Sequence, residues 1–194
     1  MKDLAITTER LLLRPVCTGD LDVAAALGAD PRVMAWFGGT LTAERSEQWL
    51  RRQIEHWRAH GFGRFAATFG GVVVGFVGLT RTEYDAGFIP GIEIAWRLAF
   101  DHWGKGYATE AARAVAREGF ERLGLELIVG VTTPGNTRSR RVMERLGMVH
   151  ARRRLRASAR ARGGSAAASR RVPAPQRAIE VSVSSSNQGP PLPT

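Results

Sequence analysis

The sequence predicts an α+β fold with three layers. Three observations carry that prediction. Ile92, Ile94, Trp96 and Leu98 alternate with Glu93, Ala95 and Arg97, which is a strand pattern. Beyond Trp103–Thr109 the period becomes helical at Ala108, Ala111, Ala112, Val115 and Gly119. Two apolar runs, Phe62–Phe69 and Val72–Leu79, flank Gly70-Gly71, the two-residue signature of a tight hairpin. From the N-terminus the periodic segments run β–α–α–β–β–β–α–β–α.

Thr8–Val16 reads as the first strand, with Leu11 and Leu13 alternating with Leu12 between Arg10 and Arg14. Thr18 or Asp20 is placed to cap a helix over Leu21–Leu27, which breaks near Asp30-Pro31. Met34, Trp36 and Phe37 form an apolar cluster ahead of Gly38-Gly39. Thr42 caps a second helix reaching about His60. Its apolar face is Trp49, Leu50, Gln53, Ile54 and Trp57, and Gly61 ends it. His56 and His60 read as solvent-side residues, because no third metal ligand is in view. The hairpin follows, then the Tyr84–Pro90 loop and the strand Gly91–Phe100. After the helix that Gly124 stops comes a strand over Leu125–Thr132. A short helix then starts at the capping Asn136, turns Val142, Met143 and Leu146 inward and ends at Gly147.

A chain of 194 residues suits one domain with its own core. No apolar run approaches the roughly 18 residues of a membrane span. The start, MKDLAITTERLLLRPV, lacks the uninterrupted apolar core of a secretion signal. The lone cysteine, Cys17, excludes an internal disulfide and reads as a small buried or half-buried residue; a reducing cytoplasm is compatible. The net charge of +10 is uneven. Residues 1–150 hold 19 basic and 17 acidic side chains, whereas residues 151–194 hold nine arginines and one acid, Glu180. The folded body therefore lacks the basic excess of a nucleic-acid surface, and neither nucleic acid nor membrane is expected as a partner.

The chemistry concentrates at Trp103-Gly104-Lys105-Gly106-Tyr107-Ala108-Thr109. Two glycines at a helix mouth let backbone N–H groups turn inward, and the helix start adds unpaired N–H groups and partial positive charge. Such a loop is either a plain strand-to-helix turn or a site for a phosphate or pyrophosphate. A Walker loop is excluded, because Tyr107 rather than Lys follows Gly106. A dinucleotide fingerprint fits poorly, because Thr109 stands at its third glycine and the loop lies past mid-chain.

These residues resemble a known family. Trp103–Ala108 is similar to the Q/R-x-x-G-x-G/A loop of the GNAT-superfamily N-acetyltransferases, with Gly106 and Ala108 at the small positions and Trp103 departing from Gln or Arg. Asn136-Thr137-Arg138-Ser139 with Val142–Met148 resembles that family's N-x-x-S…V-M-E-K-L-G-M/F helix. WGKGYATEA is similar to the branch that acetylates ribosomal-protein N-termini. The resemblance covers about residues 7–150. It implies the GNAT fold, a mixed, mostly antiparallel sheet with helices on both faces.

The resemblance also implies transfer of an acetyl group from acetyl-CoA, as cosubstrate, to a primary amine of a small molecule or protein N-terminus. The CoA pyrophosphate is then expected on the N–H groups of Gly104–Thr109, beside Lys105. The pantetheine arm is expected along the backbone of Leu98, Ala99 and Phe100, where two strands splay apart. Asn136 and Ser139 are implied as contacts near the thioester, Asn136 serving also as helix cap. Glu93 is the candidate base, with a plain solvent-face residue or an ion-pair partner for Arg97 as the alternative. The tyrosine that protonates the departing thiolate in many members aligns with Met143, so Ser139 is the candidate for that task, ahead of Tyr84 and Tyr107. No metal is expected. A monomer or a homodimer is expected.

The family closes with a strand pair. Here residues 151–194 are rich in Arg, Ala, Ser and Pro, and are expected to lack order, leaving that pair missing or altered. Arginine outnumbers lysine 26 to 2, which suggests GC-rich coding. With suitable codons, RRLRASA from Arg153 read one base along gives D-D-F-E-H-P, similar to the family's usual ending. A frameshifted tail is therefore one expectation. A CoA-binding but catalytically impaired protein is the alternative function. A nicotinamide-binding oxidoreductase is a third reading.

Overall fold

The computed structural model describes residues 4–81, 91–150 and 177–182. Its strands are β1 (Ile6–Thr7), β2 (Leu12–Pro15), β3 (Arg64–Phe69), β4 (Val72–Arg81), β5 (Ile92–Leu98), β6 (Leu127–Thr132), β7 (Val149–His150) and β8 (Arg177–Ser182). Its helices are α1 (Leu21–Ala29), α2 (Pro31–Met34), α3 (Ala43–His60), α4 (Tyr107–Glu121) and α5 (Thr137–Arg145). The sheet order is β1-β2-β3-β4-β5-β6-β8-β7. Pairs from β1 to β5 are antiparallel, and those of β5 with β6, β6 with β8 and β7 with β8 are parallel. This is the mixed sheet of the GNAT fold.

Strand alternation sends β4 side chains to opposite faces. Leu79 meets α4, where Gly119 allows the approach: a Cβ there would lie 2.9 Å from Leu79 and 3.1 Å from Ile128. Phe76 meets α3 on the other face, its ring 5.1 Å from that of Trp49. Cross-strand pairing extends the rule to β5. Ile94 and Trp96, opposite Leu79 and Val77, look toward α4; Glu93 and Arg97, opposite Thr80 and Phe76, look toward α3. Helices therefore cover both faces.

Most local signals act as expected. Gly70 and Gly71 have φ of 57° and 82°, the pair of positive values that a primed hairpin turn needs. Thr42 caps α3 and Gly61 closes it in the left-handed region. Asn136 caps α5, accepting from the Ser139 N–H at 3.2 Å.

Four readings need correction. The first strand is not continuous over Thr8–Val16: a turn closed by Thr8 N–H to the Leu11 carbonyl (2.9 Å) divides it into β1 and β2. Asp20 is fully buried and does not cap α1. Its carboxylate takes the Cys17 N–H (2.8 Å) and the Arg14 guanidinium (2.5 and 2.9 Å). Cys17 is exposed. His56 is engaged, with Nδ1 2.9 Å from the Phe62 carbonyl and Nε2 accepting the Arg81 N–H at 3.1 Å. Within the Arg- and Ser-rich final segment, Arg177–Ser182 are described as β8. The Tyr84–Pro90 loop, with the candidate Tyr84, lies outside the described residues.

Candidate active site

The site is set by a parting of strands. β5 runs for seven residues but pairs with β6 at two rungs, Ile92 with Ile128 and Glu93 with Val129. Beyond Glu93 the facing edge of β5 has no strand partner among the described residues, while β6 continues alongside β8 to Thr132. Glu93 therefore stands at the apex of a V-shaped opening. Backbone parity decides what lines it. The Ala99 N–H donates to the Val74 carbonyl (2.9 Å), so residues 95, 97 and 99 aim their backbone groups at β4. Those of Ile94, Trp96 and Leu98 face the opening.

This reassigns part of the expected backbone set. Both backbone groups of Ala99 are engaged, its carbonyl accepting the His102 N–H at 3.0 Å. The Leu98 carbonyl accepts the Trp103 indole N–H at 2.8 Å. Trp96, which sequence reasoning passed over, presents its backbone to the opening. Alternation alone could have found it, had the paired side of β5 been known.

At the wide end of the V lies the glycine loop. Gly104 and Gly106 have φ of 75° and 83°. No side chain caps the start of α4, so its first-turn N–H groups are left for another acceptor. A Cβ at Gly104 would meet open space, and one at Gly106 would lie 3.3 Å from Arg10 Nη2. These features fit a diphosphate. The Lys105 side chain is exposed, Tyr107 and Thr109 are buried, and Ala108 is half-buried.

The loop is tied from beneath by residues the sequence did not single out. Glu110, in the first turn of α4, accepts from Thr8 Oγ1 (2.6 Å), the Arg10 N–H (2.9 Å) and Arg10 Nε (2.7 Å). Arg10 also donates to the Lys105 carbonyl (2.9 Å) and covers the Tyr107 ring at 4.8 Å. Burial raises the Glu110 pKa, but the hydrogen bonds from Thr8 and Arg10 outweigh it and hold the carboxyl below its usual range.

Aromatic stacking braces the other side. Phe100 and Trp103 lie 5.1 Å apart, Arg32 covers Phe100 at 4.1 Å, and Arg138 of α5 covers Trp103 at 5.0 Å. Arg138 thus brings a cation to the position where Trp103 departs from the Gln/Arg rule. Ser139 is half-buried, and its hydroxyl makes no hydrogen bond among the described residues. Trp36 reaches from the segment after α2 to Gly135, where a Cβ would lie 3.0 Å from its ring, so this segment meets the β6–α5 loop across the opening.

Glu93 and Arg97 share a face but are not paired with each other. Four residues apart on a strand, their Cα atoms are about 13 Å apart. Among the described residues there is no cluster of three or more His, Cys, Asp or Glu that could hold a metal.

A splayed parallel pair beside an uncapped, glycine-led helix offers an extended ligand an open strand edge and offers its anionic end a set of unpaired N–H groups. The comparisons agree. The family described as the acetyltransferase (GNAT) domain matches residues 10–149, and the chain belongs to that family. It is 30% identical over 148 residues to the uncharacterized protein YkkB of Bacillus subtilis (strain 168), covering 74% of this chain and 84% of the relative. It is 34% identical over 152 residues to the FsC-acetyl coenzyme A-N(2)-transacetylase of Aspergillus fumigatus, covering 74% and 64%. The crystal structure of an acetyltransferase from Agrobacterium tumefaciens str. C58 superposes with a TM-score of 0.66 at 31% identity, covering 74% of this chain and 82% of that one.

Proposed function

We propose that the protein transfers the acetyl group of acetyl-CoA to a primary amine of a small molecule or protein N-terminus by direct attack. The observation that carries this reading is the parting of β5 and β6 immediately after the Glu93–Val129 rung. The diphosphate takes the first-turn N–H groups of α4 and the loop Gly104–Gly106, with Lys105 and Arg138 adding charge. The pantetheine arm runs along the edge presented by Leu98 and Trp96. Trp103 and Phe100 wall that channel, and Asn136 fixes the start of α5 so that Ser139 lies near the sulfur.

An amine attacks as the free base, and a lysine-type amine is almost wholly protonated at neutral pH. Glu93 takes that proton, directly or through one water. The nitrogen then bonds to the acetyl carbon. An N–H on the open edge of β5 stabilises the tetrahedral oxyanion. The C–S bond breaks, and the Ser139 hydroxyl relays to the departing sulfur the proton shed by the newly bonded, positively charged nitrogen. The WGKGYATEA loop supports placing the chain near the ribosomal-protein N-terminal branch. Residues 1–150 are the acetyltransferase domain in this reading, residues 151–194 are a frameshifted tail, and the protein works in the cytoplasm as a monomer or homodimer. Sequencing the gene tests the tail: codons that cannot give D-D-F-E-H-P from Arg153 remove that part.

Thermal shift with acetyl-CoA, then free-thiol release across an amine panel, tests the whole. Stabilisation with turnover is expected. Stabilisation without turnover supports the CoA-binding, impaired alternative, and stabilisation by NAD in place of acetyl-CoA refutes both.

A further inference from the structure

We infer that Arg97 receives an anionic group of the acceptor, so that the substrates of this enzyme are amines that also carry a carboxylate. The inference rests on the acetyl-transfer reading above and names its substrate class.

Arg97 is 9% exposed, on the α3-facing side of β5, the same side as Glu93. One guanidinium nitrogen, Nη1, reaches the Met34 sulfur at 3.3 Å, a weak acceptor. Nη2 has no hydrogen-bond partner among the described residues. The group lies 4.3 Å from the Trp49 ring and 5.7 Å from that of Phe37. No acidic side chain among the described residues pairs with it. The contrast within the chain is sharp: Arg10, Arg14, Arg32, Arg51 and Arg122 each hold a carboxylate, although all five are more exposed. Burial, and then the like charge of Arg64, lower the Arg97 pKa to about 10, which leaves it charged at neutral pH.

A buried lone cation is unfavourable unless a counter-charge arrives. Phe37, half exposed, lies 5.7 Å from the guanidinium, so the ring nearest the surface borders the same group that Met34 and Trp49 flank. A carboxylate fits the requirement in two ways. Its single charge balances one cation, and its two oxygens match a planar guanidinium. Glu93 and Arg97 then divide the acceptor between them, the first receiving the amine end and the second the acid end.

The test uses matched pairs and the full chain. Free-thiol release is measured for ω-amino acids of three to six carbons against alkylamines of equal length, and for α-amino acids against their amides. The carboxylate member should win by about 10- to 100-fold in kcat/KM in at least one pair, the range for a charge-assisted bond made in a buried setting. Arg97→Gln should bring that ratio to about one, and Arg97→Lys should keep part of it. Equal rates within every pair, or a ratio that survives in Arg97→Gln, overturns the inference. So does a phosphomonoester amine that outruns every carboxylate. The wild-type ratios decide even if both variants fail to fold. Should no amine be acetylated, the transfer reading fails while the site remains testable. Butyrate, and not butyramide, should then change tryptophan emission saturably in the CoA-treated protein, because Trp49 stacks on the guanidinium. An identical response to both refutes the site.

Discussion

The indole N–H of Trp103 donates to the carbonyl of Leu98 at 2.8 Å, pinning the end of β5 to the loop that follows it. This bond shapes both parts of the proposed cofactor channel, since Leu98 lies on the open strand edge and Trp103 opens the glycine loop. Trp103→Phe keeps a ring for Phe100 and Arg138 to stack on but removes the donor. One neutral hydrogen bond contributes on the order of 1 kcal/mol, so CoA affinity should weaken about fivefold. Isothermal titration with CoA measures it, and an unchanged Kd would show that the bond does not hold the channel.

The two loop glycines should respond differently. Both have positive φ, so alanine costs about 1 kcal/mol of backbone strain at either site. For a chain of this size that lowers Tm by about 2–4 °C. At Gly106 the new methyl also presses on Arg10 at 3.3 Å; at Gly104 it enters open space, where the diphosphate is proposed to lie. Gly104→Ala should therefore lose CoA affinity at least tenfold. Gly106→Ala should show its loss first in Tm. Melting curves with and without CoA separate the two.

Glu110 gives a pH signature. In the folded protein its pKa is held below the usual glutamate value of about 4.5 by the hydrogen bonds from Thr8 and Arg10, which outweigh burial. A depressed carboxylate pKa contributes stability that is complete above about 4.5 and is lost as pH falls through the lower folded value. Glu110→Gln should lower Tm by about 3–8 °C at pH 7, from about 1–3 kcal/mol of lost charge-assisted bonding. The gap from wild type should narrow as pH falls below about 4.5 and close once pH passes the lowered folded-state value. A gap that is constant across pH would mean that packing, and not charge, explains the loss.

At the apex of the V, Glu93→Gln should cut kcat by about 100-fold or more while leaving the KM for acetyl-CoA within a few-fold. The acid limb of the wild-type pH–rate profile should vanish with it. If the variant turns over at the wild-type rate, Glu93 is not the base. Ser139→Ala, made alongside, should lower kcat less, because thiolate is already a good leaving group.

Arg97→Met replaces an unpaired buried cation with an apolar chain beside Met34 and Trp49. It should raise the Tm of the ligand-free protein by about 2–4 °C, the equivalent of about 1 kcal/mol. Differential scanning calorimetry checks it. A lower Tm would mean that stacking on Trp49 outweighs the desolvation of the charge.

Local chemistry was written plainly in the chain. The Gly70-Gly71 turn, the Thr42 and Asn136 caps, the Gly61 and Gly147 stops and the glycine loop before α4 each depend on neighbours within a few residues. The order of elements and the two motif blocks sufficed for the family. What stayed hidden depended on residues far apart in sequence. Thr8 and Arg10 meet Glu110 across about a hundred positions, and nothing in TERLLLRPV marks the turn that divides β1 from β2. Ala99 could be placed on the pantetheine edge only while the side of β5 that faces β4 was unknown. Alternation tells inside from outside, but not which edge of a strand is left open. Arg97 read only as one of the polar alternates in IEIAWRL; the arrival of Met34 of α2, Phe37 just beyond it and Trp49 of α3 encloses its charge. The sequence by itself determined most of the elements, the Thr42 and Asn136 caps and the glycine loop before α4, because those are short-range matters of backbone freedom and period. The opening between β5 and β6, and the solitary cation beside it, were decided only by tertiary packing, because strand pairing and burial are properties of partners the chain brings from elsewhere.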